Sequence, residues 1–456
     1  SGANDIAADL VEARLDFLAS GGRSSDLAAL AAQLPEAEKW VKWQRWLVEH
    51  YLMIRNDGAA CDIVGRKITQ TMEPFWHKSH VICQAVQGNI GGARFAADIL
   101  VANGVSDPAF FGLVDEVLDN QPSKVVDLSN LESAHIVLMD VANRPIPLEA
   151  LSVLPEQMTE TVMQLEFLAP NARMVSTFDG LKRGLITHTK AGKLWRNAEL
   201  ENEDPQNALS RLHGDADALK TVQAWRAIDA DTRPDRMALV AEAITAEIMA
   251  GNGATMLPLY SELVRNAVED ETIASAMRYD DLNVAPKVVF MLAINLPSDL
   301  PTLQAFGGNE KAMLAAQLLR GISDGAVESS VLSGLNMWHL LPIFEAIGVK
   351  VGDQRWFELA QNETVTKKST IDLSPLLLKT IEIAAENRHV AKTILLANWI
   401  LKDVSLYQTS PADLALVIRA LTQIGQHDVA EDFATEIIKE QLMQQLAGMV
   451  LNSEQS

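Results

Sequence analysis

Asn56-Asp57-Gly58-Ala59-Ala60 returns 33 residues later as Asn89-Ile90-Gly91-Gly92-Ala93, and near the other end Ser374-Pro375 returns 36 residues later as Ser410-Pro411. Each Ser-Pro pair opens a helix that runs into a polar break, Asn387-Arg388-His389 or Gly425-Gln426-His427-Asp428, and Val-Ala follows each break. Asn, Asp and Ser are helix-capping residues, and a proline at the first helical position forfeits no hydrogen bond. Helix hairpins that recur at about 34 residues bury their apolar faces chiefly against their neighbours in the chain. The spacing therefore predicts an all-α fold, a superhelical α-solenoid of stacked helix hairpins.

Composition agrees with helix. Apolar residues make up 48% of the 456 positions and aromatic residues only 5%, a balance that favours helix over strand. The formal net charge of -22 repels phosphate backbones and anionic lipid surfaces. Nucleic acid is thereby excluded as a partner of the whole molecule. The longest apolar run, Val288 to Ile294, is seven residues between Pro286 and Pro297; a membrane span needs about twenty. No integral membrane segment is expected.

Local signals place the helices. One runs from Asn4 to Ser20, Ser24-Ser25-Asp26 caps a second, and Pro35-Glu36-Ala37-Glu38 opens a third that carries Trp40, Trp43 and Trp46 on a three-residue period. Such a stripe either packs a core or forms an exposed recognition strip, since Trp is enriched at binding hot spots. Asp107-Pro108 is a strong helix start, an acceptor at the cap followed by proline at the first position. Pro145, Pro147 and Pro155 predict short or irregular helices around them.

The one locally basic segment, Phe178 to Arg196, holds Lys182, Arg183, Lys190, Lys193 and Arg196 among Gly180, Gly184 and Gly192. Glu199, Glu201, Glu203 and Asp204 follow immediately. The glycines weaken helix and the charges favour solvent, so residues 178–205 are expected to join an N-terminal array, 1–177, to a C-terminal array, 206–456. The basic side chains are also a candidate surface for an acidic peptide or phosphate.

Cys61 and Cys83 lie eleven residues on either side of residue 72, inside the polar break Thr69 to Pro74. Antiparallel helices hinged there would bring the two side chains to one height, within the roughly 4.4–6.8 Å Cα separation of a disulfide. The alternatives are two packed thiols or, with His77 and His80 on the same helix as Cys83, a zinc site. A disulfide implies an oxidising compartment such as a periplasm; free thiols leave the cytoplasm open.

The turns, with small residues at Ala60, Ala93, Ala391 and Ala430 and further ones at Ala96, Ala397 and Ala434, resemble those of tetratricopeptide-type repeats. That resemblance covers about half the chain; most units lack the family's closing proline and its first-helix Gly/Tyr pair. It implies hairpin stacking and a concave surface for a protein or peptide. Cys61, Phe75-Trp76, Cys83, Gln87-Gly88-Asn89 and Asp107-Pro108-Ala109-Phe110 also resemble a loosely defined set of exported alphaproteobacterial helical proteins, some labelled antifreeze-like. That likeness implies export and an interaction role.

The sequence contains no His-Glu-x-x-His, phosphate loop, nucleophile elbow or EF-hand loop. Asp280-Asp281 lacks the third acidic residue and the second motif that would make it a magnesium site. No catalytic residue, cofactor or metal is therefore assigned. The expected function is a non-enzymatic scaffold or adaptor for a protein or peptide partner in the cell envelope. The alternatives are a cell-wall accessory that stacks sugars on its Trp stripe, and an all-helical enzyme with an unmotifed pocket.

Overall fold

The four breaks share one backbone arrangement. Arg55, Gly88, Arg388 and Gly425 all adopt left-handed φ, at 60°, 73°, 55° and 83°. The next N–H reaches back five residues to close the preceding helix: Asn56 to Tyr51 O (2.8 Å), Asn89 to Gln84 O (2.9 Å), His389 to Ala384 O (2.9 Å) and Gln426 to Leu421 O (3.0 Å). A left-handed residue with this long-range bond satisfies the orphan carbonyls of a helix end. The carbonyls of Asn56, Asn89, His389 and Gln426 then accept the first bond of the following helix, from Ala60, Ala93, Thr393 and Ala430. All four donors are buried. The small position of the third turn thus belongs to Thr393, whose Oγ1 folds back onto His389 O at 3.0 Å. Ala391, which the sequence pattern places there, is exposed.

The computed structural model describes residues 2–120, 131–199, 201, 203–214, 217–233, 236–269, 285–299, 309–349, 356, 371–402 and 404–454. The chain is all-helical among them, with two isolated parallel bridges, Ile146 with Leu168 and Ile371 with Thr409. Asp280-Asp281 lies outside the described residues. Two compact units are present, residues 1–201 and 202–456.

Unit 1 contains α1 (Gly2–Ser20), α2 (Ser24–Ala31), α3 (Val41–Met53), α4 (Asp57–Lys67), α5 (Pro74–Val86), α6 (Ile90–Ala102), α7 (Pro108–Asp119), α8 (Ser133–Val141), α9 (Thr159–Gln164), α10 (Pro170–Lys182) and α11 (His188–Arg196). Helices α3 to α6 pack in sequence order, while α8 packs on α3, α5 and α7, and α2 packs on α9. The proline-rich stretch between α8 and α9 forms two 3-10 helices, Leu148–Val153 and Glu156–Met158.

Two local expectations change in unit 1. Ser24 lies inside α2 and is buried; its Oγ donates to Gln157 O (2.8 Å) and accepts from Thr161 N–H (3.3 Å), so it ties α2 to α9 instead of capping. Ala37 is extended, so helix begins at Glu38 and Pro35 precedes it.

Nor is 178–196 a solvated joint. It is the hairpin α10–α11, with Phe178, Leu181, Ala191 and Trp195 buried. A Cβ on Gly180 would collide with the Met163 thioether, so this glycine allows close packing, while Gly184 takes the left-handed turn at φ +69°. These glycines shape a hairpin that local composition alone would not distinguish from a linker.

Unit 2 contains α12 (Pro205–Gly214), α13 (Ala218–Asp229), α14 (Arg236–Met249), α15 (Gly253–Glu269), α16 (Ala285–Asn295), α17 (Glu310–Ser323), α18 (Ser329–Gly334), α19 (Leu341–Ala346), α20 (Pro375–Glu386), α21 (Val390–Leu401), α22 (Pro411–Gln423) and α23 (His427–Glu454). The apolar run Val288–Ile294 is the middle of α16, and all seven side chains are buried in the protein core. Among the described residues no helix is long and apolar enough to cross a membrane. Helix α23 packs on α14, α15, α16, α17 and α22 and buries Ala434, Ile437, Ile438, Leu442 and Leu446.

Limited proteolysis of the native chain is expected to cut first between residues 199 and 205, at the boundary of the units, and to spare 178–196. Primary cleavage inside α10 or α11, read by mass spectrometry of the fragments, would contradict the packed hairpin.

Candidate functional site

Trp40, Trp43 and Trp46 are 4%, 2% and 4% exposed. They are core, and the recognition-strip expectation is corrected. Indoles lose a large apolar area to solvent when displayed, and α2, α4, α8 and α9 all converge on α3. The polar neighbours serve packing too: Lys39 and Lys42 lie over the Trp40 and Trp43 rings at 4.4 and 4.5 Å, and Trp46 stacks on His50 at 5.2 Å. His50 faces Thr161 Oγ1 at 2.8 Å, and burial lowers its pKa to about 4.

Of the basic residues, Lys182, Lys190, Lys193 and Arg196 are exposed on α10 and α11. Arg183 is half-buried; it donates to Ser20 O at 3.0 Å and pairs with Glu156 at 3.0 Å. It therefore fastens α10 to the end of α1, while the other four remain on the surface.

Cys61 on α4 and Cys83 on α5 are joined as a disulfide with Cα atoms 5.5 Å apart. This leaves no thiolate for a zinc ion. His77 Nε2 instead lies 3.2 Å from Thr71 O.

A polar cluster that sequence reasoning missed joins the ends of α5, α7 and α8. Asp107 caps α7, its Oδ1 accepting Phe110 N–H at 3.0 Å. Its Oδ2 accepts from Lys78 Nζ at 2.7 Å, and Lys78 also donates to Glu132 at 2.7 Å. The Glu132 backbone N–H donates to His135 Nδ1 at 2.8 Å, so the ring proton is on Nε2, which faces Asp107 Oδ1 at 3.1 Å. Asp107, Glu132 and His135 bring possible metal-ligand atoms within 4.8 Å of one another. They do not fit an ion, because both imidazole nitrogens are engaged and the Lys78 ammonium supplies the positive charge. Burial alone would raise the Asp107 pKa, but the bonds from Lys78, Phe110 N–H and His135 hold it down to about 2. Burial likewise opposes the Lys78 charge, and the bonds to Asp107 and Glu132 outweigh it, raising its pKa. The sequence marked Asp107 only as a helix start; nothing local to Lys78 or His135 announces their meeting.

The groove-like feature of unit 2 lies between α20 and α22, the helices opened by the repeated Ser-Pro. Ile371 N–H donates to Gln408 O and Ser410 N–H to Ile371 O, both at 3.0 Å, setting the two helix starts side by side. Leu373 N–H donates to Asp413 Oδ2 at 2.9 Å, which fixes the link ahead of α20 against the first turn of α22. The result is a cavity of about 440 Å³ with Leu373, Leu378 and Leu416 as apolar lining and Asp372, Glu382 and Asp413 as acidic groups. Lys379, also in the lining, is held by Glu382 at 2.6 Å, so the open charge at the mouth is negative. The Ser-Pro repeat pointed to these helices. The residues between them carry no comparable signal in the repeat.

Comparison with protein-family models, with curated proteins and with solved structures finds no match to this chain.

Two outcomes follow from this chemistry. Mass spectrometry of non-reduced protein should show two hydrogens fewer than the reduced chain, and replacing both cysteines by serine should cost roughly 3 kcal/mol of stability. Free reaction of both thiols with a maleimide in native protein would exclude the bridge. For the polar cluster, Lys78→Met should destabilise by about 2 kcal/mol, because it removes the charged bond to the half-buried Asp107 carboxylate. Asp107 has its folded pKa below its ordinary 3.8, at about 2. Its contribution is present above pH 4 and lost as pH falls towards 2, about 2 kcal/mol that Asp107→Asn should remove from acid denaturation curves.

Proposed function

We propose that the protein is a non-enzymatic helical scaffold of tetratricopeptide-like hairpins that binds an extended segment of a protein partner. The observation that carries this is the α20–α22 cavity, where two like helices are held in parallel and leave an apolar cleft with an acidic mouth. Its volume of about 440 Å³ falls in the range of ligand pockets, about 300–1,000 Å³. An apolar side chain flanked by Lys or Arg matches it, and the molecule's net charge of -22 favours approach of a basic segment. The Cys61–Cys83 bridge supports an oxidising location such as the periplasm. With the Trp stripe buried, the sugar-stacking alternative loses its supporting feature.

The test is selection of 12-residue peptides from a random library by the full chain. Enrichment of apolar residues next to Lys or Arg is expected, with affinity falling at least tenfold in Asp372→Lys and at raised salt. Asp372 is exposed, so this change leaves the fold intact. No enrichment, or binding indifferent to Asp372→Lys, would overturn the groove; turnover in an unbiased hydrolase or transferase screen would overturn the scaffold.

A further inference from the structure

Where α13, α14 and α15 meet, four polar side chains are shut away from water. Glu247 in the last turn of α14, Tyr260 on α15 and Thr221 on α13 are each 0% exposed, and Asn252 in the α14–α15 turn is 8% exposed. Two bonds organise the joint: Asn252 N–H to Glu247 O at 2.8 Å, and Asn252 Nδ2 to Thr221 Oγ1 at 3.1 Å. Asn252, Thr221 and Tyr260 stand nearest the Glu247 carboxyl. Yet neither carboxyl oxygen, nor the Tyr260 hydroxyl, is in hydrogen-bond geometry with a described group.

No positive charge balances this carboxyl among the described residues, and the titratable group facing it is Tyr260. Several charges on the surrounding elements have partners elsewhere, and burial lowers the pKa of Arg226 on α13. On α14 itself, Arg236 donates to Ile228 O and Asp229 O at 3.0 Å each, and Glu242 pairs with His213 of α12 at 3.2 Å. On α13, Lys220 pairs with Asp217 at 3.2 Å. Arg265 pairs with Glu262 on α15 at 4.0 Å, and Lys287 of α16 lies 3.5 Å from Thr245 Oγ1. From α23, Met443 approaches Gly253, and Glu440 faces Ser405 and Tyr407.

We propose that the Glu247 cluster is a proton-operated latch that locks the α13–α14–α15 joint when Glu247 is neutral and loosens it when Glu247 ionises. A buried carboxylate without a counter-charge is strongly disfavoured, whereas the neutral acid has an O–H to offer the same cavity walls. Burial raises the Glu247 pKa from 4.5 to about 7, against the weaker pull of Asn252, Thr221 and Tyr260. Burial, with the nearby Glu247, also raises Tyr260 far above its ordinary value, so the phenol stays neutral throughout. The folded pKa of Glu247 lies above the unfolded one. Its stabilisation is therefore complete below about pH 4.5 and is lost as pH rises through about 7. The latch is poised to answer acidification just below neutrality, independently of what the α20–α22 groove binds.

The experiment is chemical denaturation of the full chain and of Glu247→Gln, which is neutral at every pH, between pH 4.5 and 8.5. The ratio of wild-type to variant unfolding constants is expected to rise by up to about tenfold per pH unit between pH 5 and 7, roughly 150-fold over the whole range, and then level. A ratio independent of pH overturns the latch. Should Glu247→Gln not fold, hydrogen exchange on the wild-type chain decides. Corrected for intrinsic exchange, protection of amides 236–264 should fall over the same range while that of α5 and α7 in unit 1 stays constant. Equal behaviour of both regions would equally overturn it.

Discussion

Four turns of this chain dispose of two sets of unpaired backbone groups within three residues: the last carbonyls of one helix and the first N–H groups of the next. The left-handed residue followed by a long-range amide bond meets that constraint at Arg55, Gly88, Arg388 and Gly425. It also fixes where the next helix starts, and hence which position must be small. Glycine enters this conformation freely, whereas Arg55 and Arg388 adopt it at about 1 kcal/mol or more each. The surrounding packing holds them there. The Cys61–Cys83 seam lies between the helix that follows the Arg55 turn and the helix that precedes the Gly88 turn, and α20 and α22 each run into one of these turns.

What the sequence disclosed was mostly what is local. Asp107-Pro108, the Ser-Pro starts and the turn signatures act within a few residues, so their spacing reported helix boundaries. Ser24 looked like a cap for the same reason, but its hydroxyl is claimed by Gln157, far along the chain. The glycines of 178–196 were equally ambiguous, because a glycine that admits Met163 and a glycine that frees a linker are identical in sequence. Trp40, Trp43 and Trp46 share one face under either role; only the arrival of α8 and α9 decides it. Lys78, Glu132 and His135 meet through tertiary packing alone, and no spacing rule could have joined them.

The interior shows two opposite treatments of charge. Around Lys78 each acceptor has a donor, and the ammonium keeps Asp107 ionised. Around Glu247 an acid is enclosed with an amide, a hydroxyl and a phenol but no cation among the described residues, so solvation falls on the proton itself. The first arrangement fails when acid removes the negative partner; the second fails when base creates one. Unit 1 and unit 2 therefore meet acid with opposite responses at these two places, within one molecule whose net charge is -22.

Helix α23 supplies a last constraint. It packs on α14, α15, α16 and α17, helices that precede it by more than a hundred residues. A growing chain is made at about 5–20 residues per second, so those helices leave the ribosome many seconds before the strip that covers them. Until Ile437, Ile438, Leu442 and Leu446 emerge, the surfaces they bury stay open to water and to other chains. Unit 1 has a delay of its own, since α2 waits for α9 and the end of α1 waits for Arg183, but all its described helices are complete before α12 is made. The two units thus differ in birth order as well as in structure, and a stop between residues 323 and 427 would release a complete first unit attached to a second one whose α23-binding surfaces stay open.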